Sequence, residues 1–162
     1  MDDSKFLIVG SNGQLGTALQ QRYPNARAVD KDDLDITDIE KVKDFDWGNI
    51  TTVLNAAAYT DVDGAESPEG RAIAWKVNAE GAVNLSRIAT EKDLTLVHIS
   101  TDYVFDGTQA LHTEDESFSP LSEYGRSKAA GDTAVQSTSK HYILRTSWLI
   151  GEGQNFVRTM LN

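Results

Sequence analysis

Tyr124 and Lys128 stand four residues apart in the stretch Tyr124-Gly125-Arg126-Ser127-Lys128. On a helix, that spacing puts a phenol and an ammonium on one face, about one turn apart. A free tyrosine titrates near ~10, too high for ready acid–base work at neutral pH. A neighbouring cation stabilises the phenolate and is expected to bring the group nearer its working range. Such a pair would protonate an alkoxide formed when a hydride reaches a carbonyl carbon. Upstream, Ser100 and Thr101 close an apolar run, and the Thr101 hydroxyl could hold the carbonyl oxygen against Tyr124. Plainer readings stand beside these: a surface tyrosine–lysine pair, and a strand-end hydroxyl capping a turn.

A second group of residues fits a phosphate. Gly10-Ser11-Asn12-Gly13-Gln14-Leu15-Gly16 follows a short apolar run and opens a helical pattern. Gly10 would permit a tight turn, Gly13 a close approach of a pyrophosphate, and Gly16 close packing of helix on strand. Free N–H groups at the helix start, around Asn12, Gln14 and Leu15, would bind the phosphates with help from the helix dipole. Two residues separate the first pair of glycines, one more than in the usual G-x-G-x-x-G pattern, and an ordinary strand-to-helix turn is the alternative. Asp30, twenty residues on, stands where an acid would hold a ribose 2′-hydroxyl. Its carboxylate favours NADH, whereas Lys31 beside it could offset repulsion of a 2′-phosphate and admit NADPH. Asp30 could equally be a solvated turn acid. Asp35 and Ile36 are expected to flank the adenine. Ala56, Ala57 and Ala58 after Asn55 leave room for a coenzyme across a strand end, or simply pack tightly.

These residues need a frame. Apolar runs at 6–9, 26–29, 51–56, 94–99 and 142–145 read as strands, the first without a single polar residue, as in a buried parallel strand. Helical spacing covers 14–23, 72–89 and about 122–136. Strand–helix–strand repeats of this kind predict an α/β fold with a doubly wound, mostly parallel sheet and helices on both faces. Asn155 to Asn162 reads as a helix that has barely begun, so the chain is expected to be the first domain of something longer.

The bulk chemistry excludes several classes. The chain has 162 residues and no cysteine, which removes disulfides and thiolate chemistry and fits a cytoplasmic setting. A net charge of −10 argues against nucleic acid as a partner. No apolar run reaches the ~18 residues of a membrane span. No metal site is expected: His98 has no ligand-spaced partner and reads as a satisfied strand histidine, and Glu114-Asp115-Glu116 reads as a solvated loop face. Asn78, within a helical pattern, is expected to hydrogen-bond the sheet.

Longer stretches carry a resemblance. Ser100-Thr101-Asp102-Tyr103-Val104-Phe105-Asp106-Gly107, Asn55-Ala56-Ala57-Ala58-Tyr59-Thr60-Asp61-Val62-Asp63 and Arg145-Thr146-Ser147-Trp148 resemble the dTDP-4-dehydrorhamnose reductase family of extended short-chain dehydrogenase/reductases. The resemblance extends to Leu34-Asp35-Ile36-Thr37-Asp38 and Asn155-Phe156-Val157 and covers essentially the whole chain. It implies a Rossmann-like fold and reduction of the 4-keto group of dTDP-4-dehydro-L-rhamnose by NADPH or NADH, in nucleotide-sugar biosynthesis. It implies Thr101, Tyr124 and Lys128 as the catalytic set, and Tyr59 and Ser100 beside the coenzyme with the glycine loop. Val62, Asp102, Tyr103 and Trp148 would lie near the substrate. Members of the family are longer, and the remainder supplies most of the sugar pocket and, in some, a metal-assisted dimer contact. A homodimer is thus an expectation for a full-length protein. Two other readings share these motifs: a non-catalytic regulatory subunit resembling that of methionine adenosyltransferase, and a nucleotide-sugar epimerase or dehydratase.

Overall fold

The computed structural model describes residues 2–109, 111–151 and 160. The helix expected from Asn155 lies outside these, apart from the exposed Met160. Five parallel strands form one sheet: β1 (Phe6–Val9), β2 (Arg27–Val29), β3 (Thr52–Asn55), β4 (Thr95–Thr101) and β5 (His141–Thr146), in the order β2-β1-β3-β4-β5. Every residue of β1 is buried, as its unbroken apolar run requires of a central strand. The fold is the expected Rossmann-like α/β arrangement.

Alternation along β1 divides the core into two layers. Phe6 and Ile8, with Leu54 and Val97, meet Leu19 and Tyr23 from α1 (Gln14–Arg22) and its end. Leu7 and Val9, with Val53 and Leu96, face the other way. They pack on α2 (Ile39–Asp44), α4 (Gly81–Glu91) and α5 (Glu123–Gln136) through Val42, Leu85, Ile88 and Val135. α2 escapes a reading of periodicity because it is under two turns long. The Asp38 carboxylate caps it, accepting from the N–H groups of Glu40 and Lys41.

The helix expected at 72–89 starts earlier and is not uniform. Ser67 caps α3 (Pro68–Ala74) and Pro68 takes its first position, where the missing N–H is harmless. Trp75–Glu80 then winds as a π-helix before α4 continues the same rod. That wider stretch places Asn78, which is buried. Its side chain accepts from the Tyr59 N–H at 2.9 Å and donates to the Tyr59 carbonyl at 3.1 Å and the Ser127 hydroxyl at 3.0 Å. The expected bond to the sheet is replaced by a tie between the segment after β3 and α5. The reason is the π-turn, which carries the amide past the sheet and onto α5.

On α5, Ser122 caps the first turn by accepting from the Gly125 N–H at 3.0 Å. Glu66 reaches across to accept the Glu123 N–H at 2.8 Å. Two of the orphan amides of that helix start are thereby satisfied, which fixes where the stripe Tyr124, Lys128, Asp132 and Val135 begins. All four of these side chains are buried. Among the described residues, no helix is long and apolar enough to cross a membrane.

Candidate active site

The strand order reverses between β1 and β3, since β1 leads outward to β2 while β3 begins the run toward β5. Open α/β sheets bind ligands in the crevice at the carboxyl end of that reversal. Two adjoining cavities lie there, of about 540 and 480 Å³, sharing Gly13, Ala56 and Ala58 as a common wall. Together they form one trough across the strand ends.

The glycine loop has the geometry its spacing suggests. Gly10 has φ +80°, and a Cβ there would sit 2.6 Å from the Ala57 backbone nitrogen. At Gly16 a Cβ would come within 2.1 Å of the Gly10 carbonyl oxygen, so helix and loop touch backbone to backbone. Gly13 starts α1 without a side chain to cap it and lines both cavities, leaving the first amides of the helix turned to the trough. A Cβ on Gly13 would meet only the Gly10 carbonyl, at 3.4 Å, and would otherwise project into open space. A cradle of this shape fits a diphosphate.

The smaller cavity is lined by Gly10, Asn12, Asp30, Lys31, Asp35 and Ile36 among others. Asp30 is engaged at both oxygens: it accepts the Asn12 N–H at 2.8 Å and the Lys31 N–H at 2.8 Å. One carboxylate therefore braces the glycine loop while lining the cavity. Leu34, Ile73, Lys76 and Val77 complete this wall. Sequence reasoning missed them, although Ile73 and Val77 fall at helical spacing within 72–89.

The larger cavity gathers Gln14, Leu15, Val62, Ser100, Thr101, Asp102, Tyr103, Tyr124, Lys128 and Trp148, and adds Thr60, Thr146, Ser147 and Leu149. Of the residues expected near a ligand, Tyr59 and Gly16 line neither cavity; Tyr59 packs with Ala65, Ala74 and Tyr124 behind the wall. The anchor of its N–H on Asn78 holds it there. Gly16 serves from beneath, against the loop, while Ala57 lines the smaller cavity and its N–H donates to Asn55 Oδ1 at 3.2 Å.

Tyr124 and Lys128 share a buried face rather than a surface one. The electrostatics differ from expectation. Burial pushes the Tyr124 phenol up; the Thr101 hydroxyl pulls it back in part, and the Asp102 carboxylate adds to the rise. Lys128 is 1% exposed and its Nζ donates to the Ile99 carbonyl at 2.7 Å. Desolvation draws its pKa down to about 8, against the attraction of Asp132. The expected acidification of the phenol is thus absent, because burial outweighs the Thr101 hydroxyl while the Lys128 ammonium donates to the Ile99 carbonyl. A phenol that keeps its proton at neutral pH is a donor, the role a carbonyl reduction needs. Thr101 Oγ1 accepts the Tyr103 N–H at 3.2 Å and lies 3.2 Å from Asp102 Oδ1, so it caps a turn and lines the cavity at once. The Ser100 hydroxyl, buried at the cavity floor, has no hydrogen-bond partner among the described residues. Such an orphan suits a polar ligand group.

His98 is not the satisfied histidine its position suggests. Its Nδ1 meets Asn55 Nδ2 at 2.9 Å, but its buried Nε2 has no hydrogen-bond partner. Burial, with Lys128 nearby, holds its pKa well below the usual range, so the ring is neutral at neutral pH. Among the described residues, no group of three or more His, Asp or Glu could hold a metal ion.

Comparison with known proteins places this geometry in context. Residues 4–162 match the profile of a family described as RmlD substrate binding domain. A dTDP-4-dehydrorhamnose reductase of Aggregatibacter actinomycetemcomitans is 41% identical over 98% of the chain. A dTDP-4-keto-6-deoxy-D-glucose reductase of Streptomyces niveus is 39% identical over 97%. The crystal structure of dTDP-4-dehydrorhamnose reductase from Bacillus anthracis in complex with NADP superposes with a TM-score of 0.89 at 39% identity over 96% of the chain. The chain spans little more than half the length of each of these proteins, between 56% and 58%.

Proposed function

Because the chain belongs to the RmlD family, we propose that it is the NAD(P)H-binding part of a reductase that converts the 4-keto group of dTDP-4-dehydro-L-rhamnose to the alcohol. The observation that carries this reading is one trough with a bare helix start and glycine loop at one end and Thr101, Tyr124 and Lys128 at the other. A bound nicotinamide coenzyme supplies the hydride. The chain's own residues handle the oxygen and its proton. Thr101 offers a hydroxyl to orient the carbonyl oxygen. Tyr124, kept protonated by burial, delivers the proton to the forming alkoxide. Lys128 then offsets the charge left on the phenolate. Val62, Tyr103 and Trp148 would bound the sugar, while Asp30 and Lys31 would meet the adenosine ribose.

Titrating the protein with NADPH and with NADH tests the first half of this reading, and a complex with at least one of them is expected. Turnover with dTDP-4-dehydro-L-rhamnose, followed as coenzyme consumed and alcohol formed, tests the second. The name of the Streptomyces relative makes dTDP-4-keto-6-deoxy-D-glucose the comparison substrate. No complex with either coenzyme would end the reading. A cytoplasmic setting and pairing of full-length copies belong to the same proposal, the first supported by the cysteine-free composition. Sedimentation of the full-length protein measures the second.

Coenzyme choice gives a narrower test. Asp30→Ala removes a carboxylate from the ribose end of the trough, and its loss is expected to weaken NADH more than NADPH. A charge-assisted hydrogen bond of about 1.5–3 kcal/mol corresponds to roughly a tenfold or greater change in the ratio of dissociation constants. An unchanged ratio would restrict Asp30 to bracing Asn12.

A further inference from the structure

Behind Tyr124 and Lys128 runs a buried polar chain that the proposed chemistry does not use. Asp132 stands one turn beyond Lys128 on α5 and is fully buried. Its Oδ2 accepts from Arg145 Nε on β5 at 3.0 Å. Its Oδ1 has no hydrogen-bond partner among the described residues and lies 3.8 Å from His98 Nε2 on β4, itself unpartnered. The proton on that ring can be placed. Asn55 Oδ1 accepts from the Ala57 N–H, so the Asn55 amide nitrogen faces His98 Nδ1 and donates to it. A nitrogen that accepts carries no proton, which leaves the proton on Nε2, directed at the Asp132 carboxylate. At 3.8 Å this is an oriented dipole and not a hydrogen bond.

We propose that Asp132 is a positioning residue for the reaction: poised between Arg145 and His98 one helical turn beyond Lys128, its buried carboxylate keeps the Lys128 ammonium charged. The role rests on the reductase reading; the electrostatics beneath it does not. A lysine ammonium buried to this degree loses its hydration, and among the described residues its hydrogen-bond partner is the neutral Ile99 carbonyl. Without a carboxylate nearby it would hold its proton less firmly, and the phenolate left after proton transfer would meet a weaker counter-charge. Arg145 divides the pull of Asp132 between two cations. The other groups facing Lys128 do not substitute for it. From β4 there is only neutral His98, and from the turn after β4 Asp102 and Tyr103, which act on Tyr124. The π-stretch contributes Asn78, while its Lys76 and Glu80 are exposed, as are Arg87 and Glu91 of α4.

The test reads Lys128 itself, by NMR of lysine-labelled protein titrated with base. Its signal is assigned by its loss in Lys128→Met. In the unsubstituted protein the midpoint is expected at about pH 8. Asp132→Asn keeps the shape and removes the charge, so the midpoint is expected to fall by about one unit. Arg145→Met frees Asp132 of its competing cation, so the midpoint is expected to rise. A merely structural cluster would respond to both changes in the same direction or not at all, and either result would overturn the proposal. Should Asp132→Asn fail to fold, the double variant Asp132→Asn/Arg145→Met, which removes the pair without leaving a lone charge, is compared with Arg145→Met: a lower midpoint in the double variant supports the role, and an equal or higher one ends it. Neither coenzyme nor substrate is present in this measurement. A failure of the reductase reading would therefore leave the titration intact, and unmoved midpoints would leave coenzyme binding and turnover intact.

Discussion

Tyr124→Phe is expected to lower turnover of a full-length reductase about a thousandfold while NADPH binding stays within a few-fold of its original value. The substitution removes one oxygen and nothing else. Tyr124 is 8% exposed, its ring stacks edge-on against Tyr103 at 5.8 Å between centroids, and it packs beside Ala65 and Ala74. A phenylalanine keeps those contacts, so the wall stands and the coenzyme end of the trough is untouched. Only the proton is gone, and a positioned general acid is worth about 10²–10⁴ in rate. Single-turnover kinetics beside a fluorescence titration of NADPH separates the two effects. Near-normal turnover would show that another group, or water, delivers the proton. Loss of NADPH binding would instead mean that the ring holds the trough open.

Gly10→Ala is expected to cost about 3–4 kcal/mol and to remove coenzyme binding with it. Two penalties fall on one methyl group. The first is conformational, since φ +80° is a region an L-residue enters at a cost of about 1–2 kcal/mol. The second is steric, since the new carbon would meet Ala57 backbone atoms at 2.6 and 2.7 Å, and backbone moves less readily than a side-chain end. Overpacking of this kind costs about 1–3 kcal/mol. For a domain of this size the sum lowers the melting temperature by roughly 10 °C. Differential scanning calorimetry measures it. A shift of a degree or two would mean that the loop after β3 yields, and that the close approach of loop and strand end is not needed for the fold.

What the chain announces in advance is what its physics keeps local. β1 is four apolar residues followed by glycine, and the strand-to-helix turn after it was legible from that run alone, although Val29, Asp30 and Ala57 hold it in the fold. Tyr124 and Lys128 could be paired on paper because a helix converts a spacing of four into adjacency. The buried carboxylate at Asp132 continues that stripe by four more residues and was open to the same argument. Its partners were not. Arg145 arrives there because β5 lies beside β4 with Ser100 opposite Arg145, and His98 because it projects from β4 toward α5. Those are matters of strand register, which no spacing within one segment encodes. The sign of the Tyr124 shift escaped for a related reason: spacing shows that an ammonium is near, not that a carbonyl already holds it. Tyr59 stood within a recognisable stretch, yet an amide nineteen residues away turns it behind the cavity wall.

The π-turn at Trp75–Glu80 makes chain length itself a structural quantity. Each residue of a regular helix advances the azimuth by about 100°, and the wider winding absorbs one residue that an even spiral would have to express as rotation. Deleting one residue within Trp75–Val77 is expected to let the rod relax to even winding, with Asn78 swung out of reach of Tyr59 and Ser127, which faster hydrogen exchange at the Tyr59 amide would show. The extra residue is thus taken up within the π-stretch, so α4 keeps its phase against the sheet while Asn78 gains its reach.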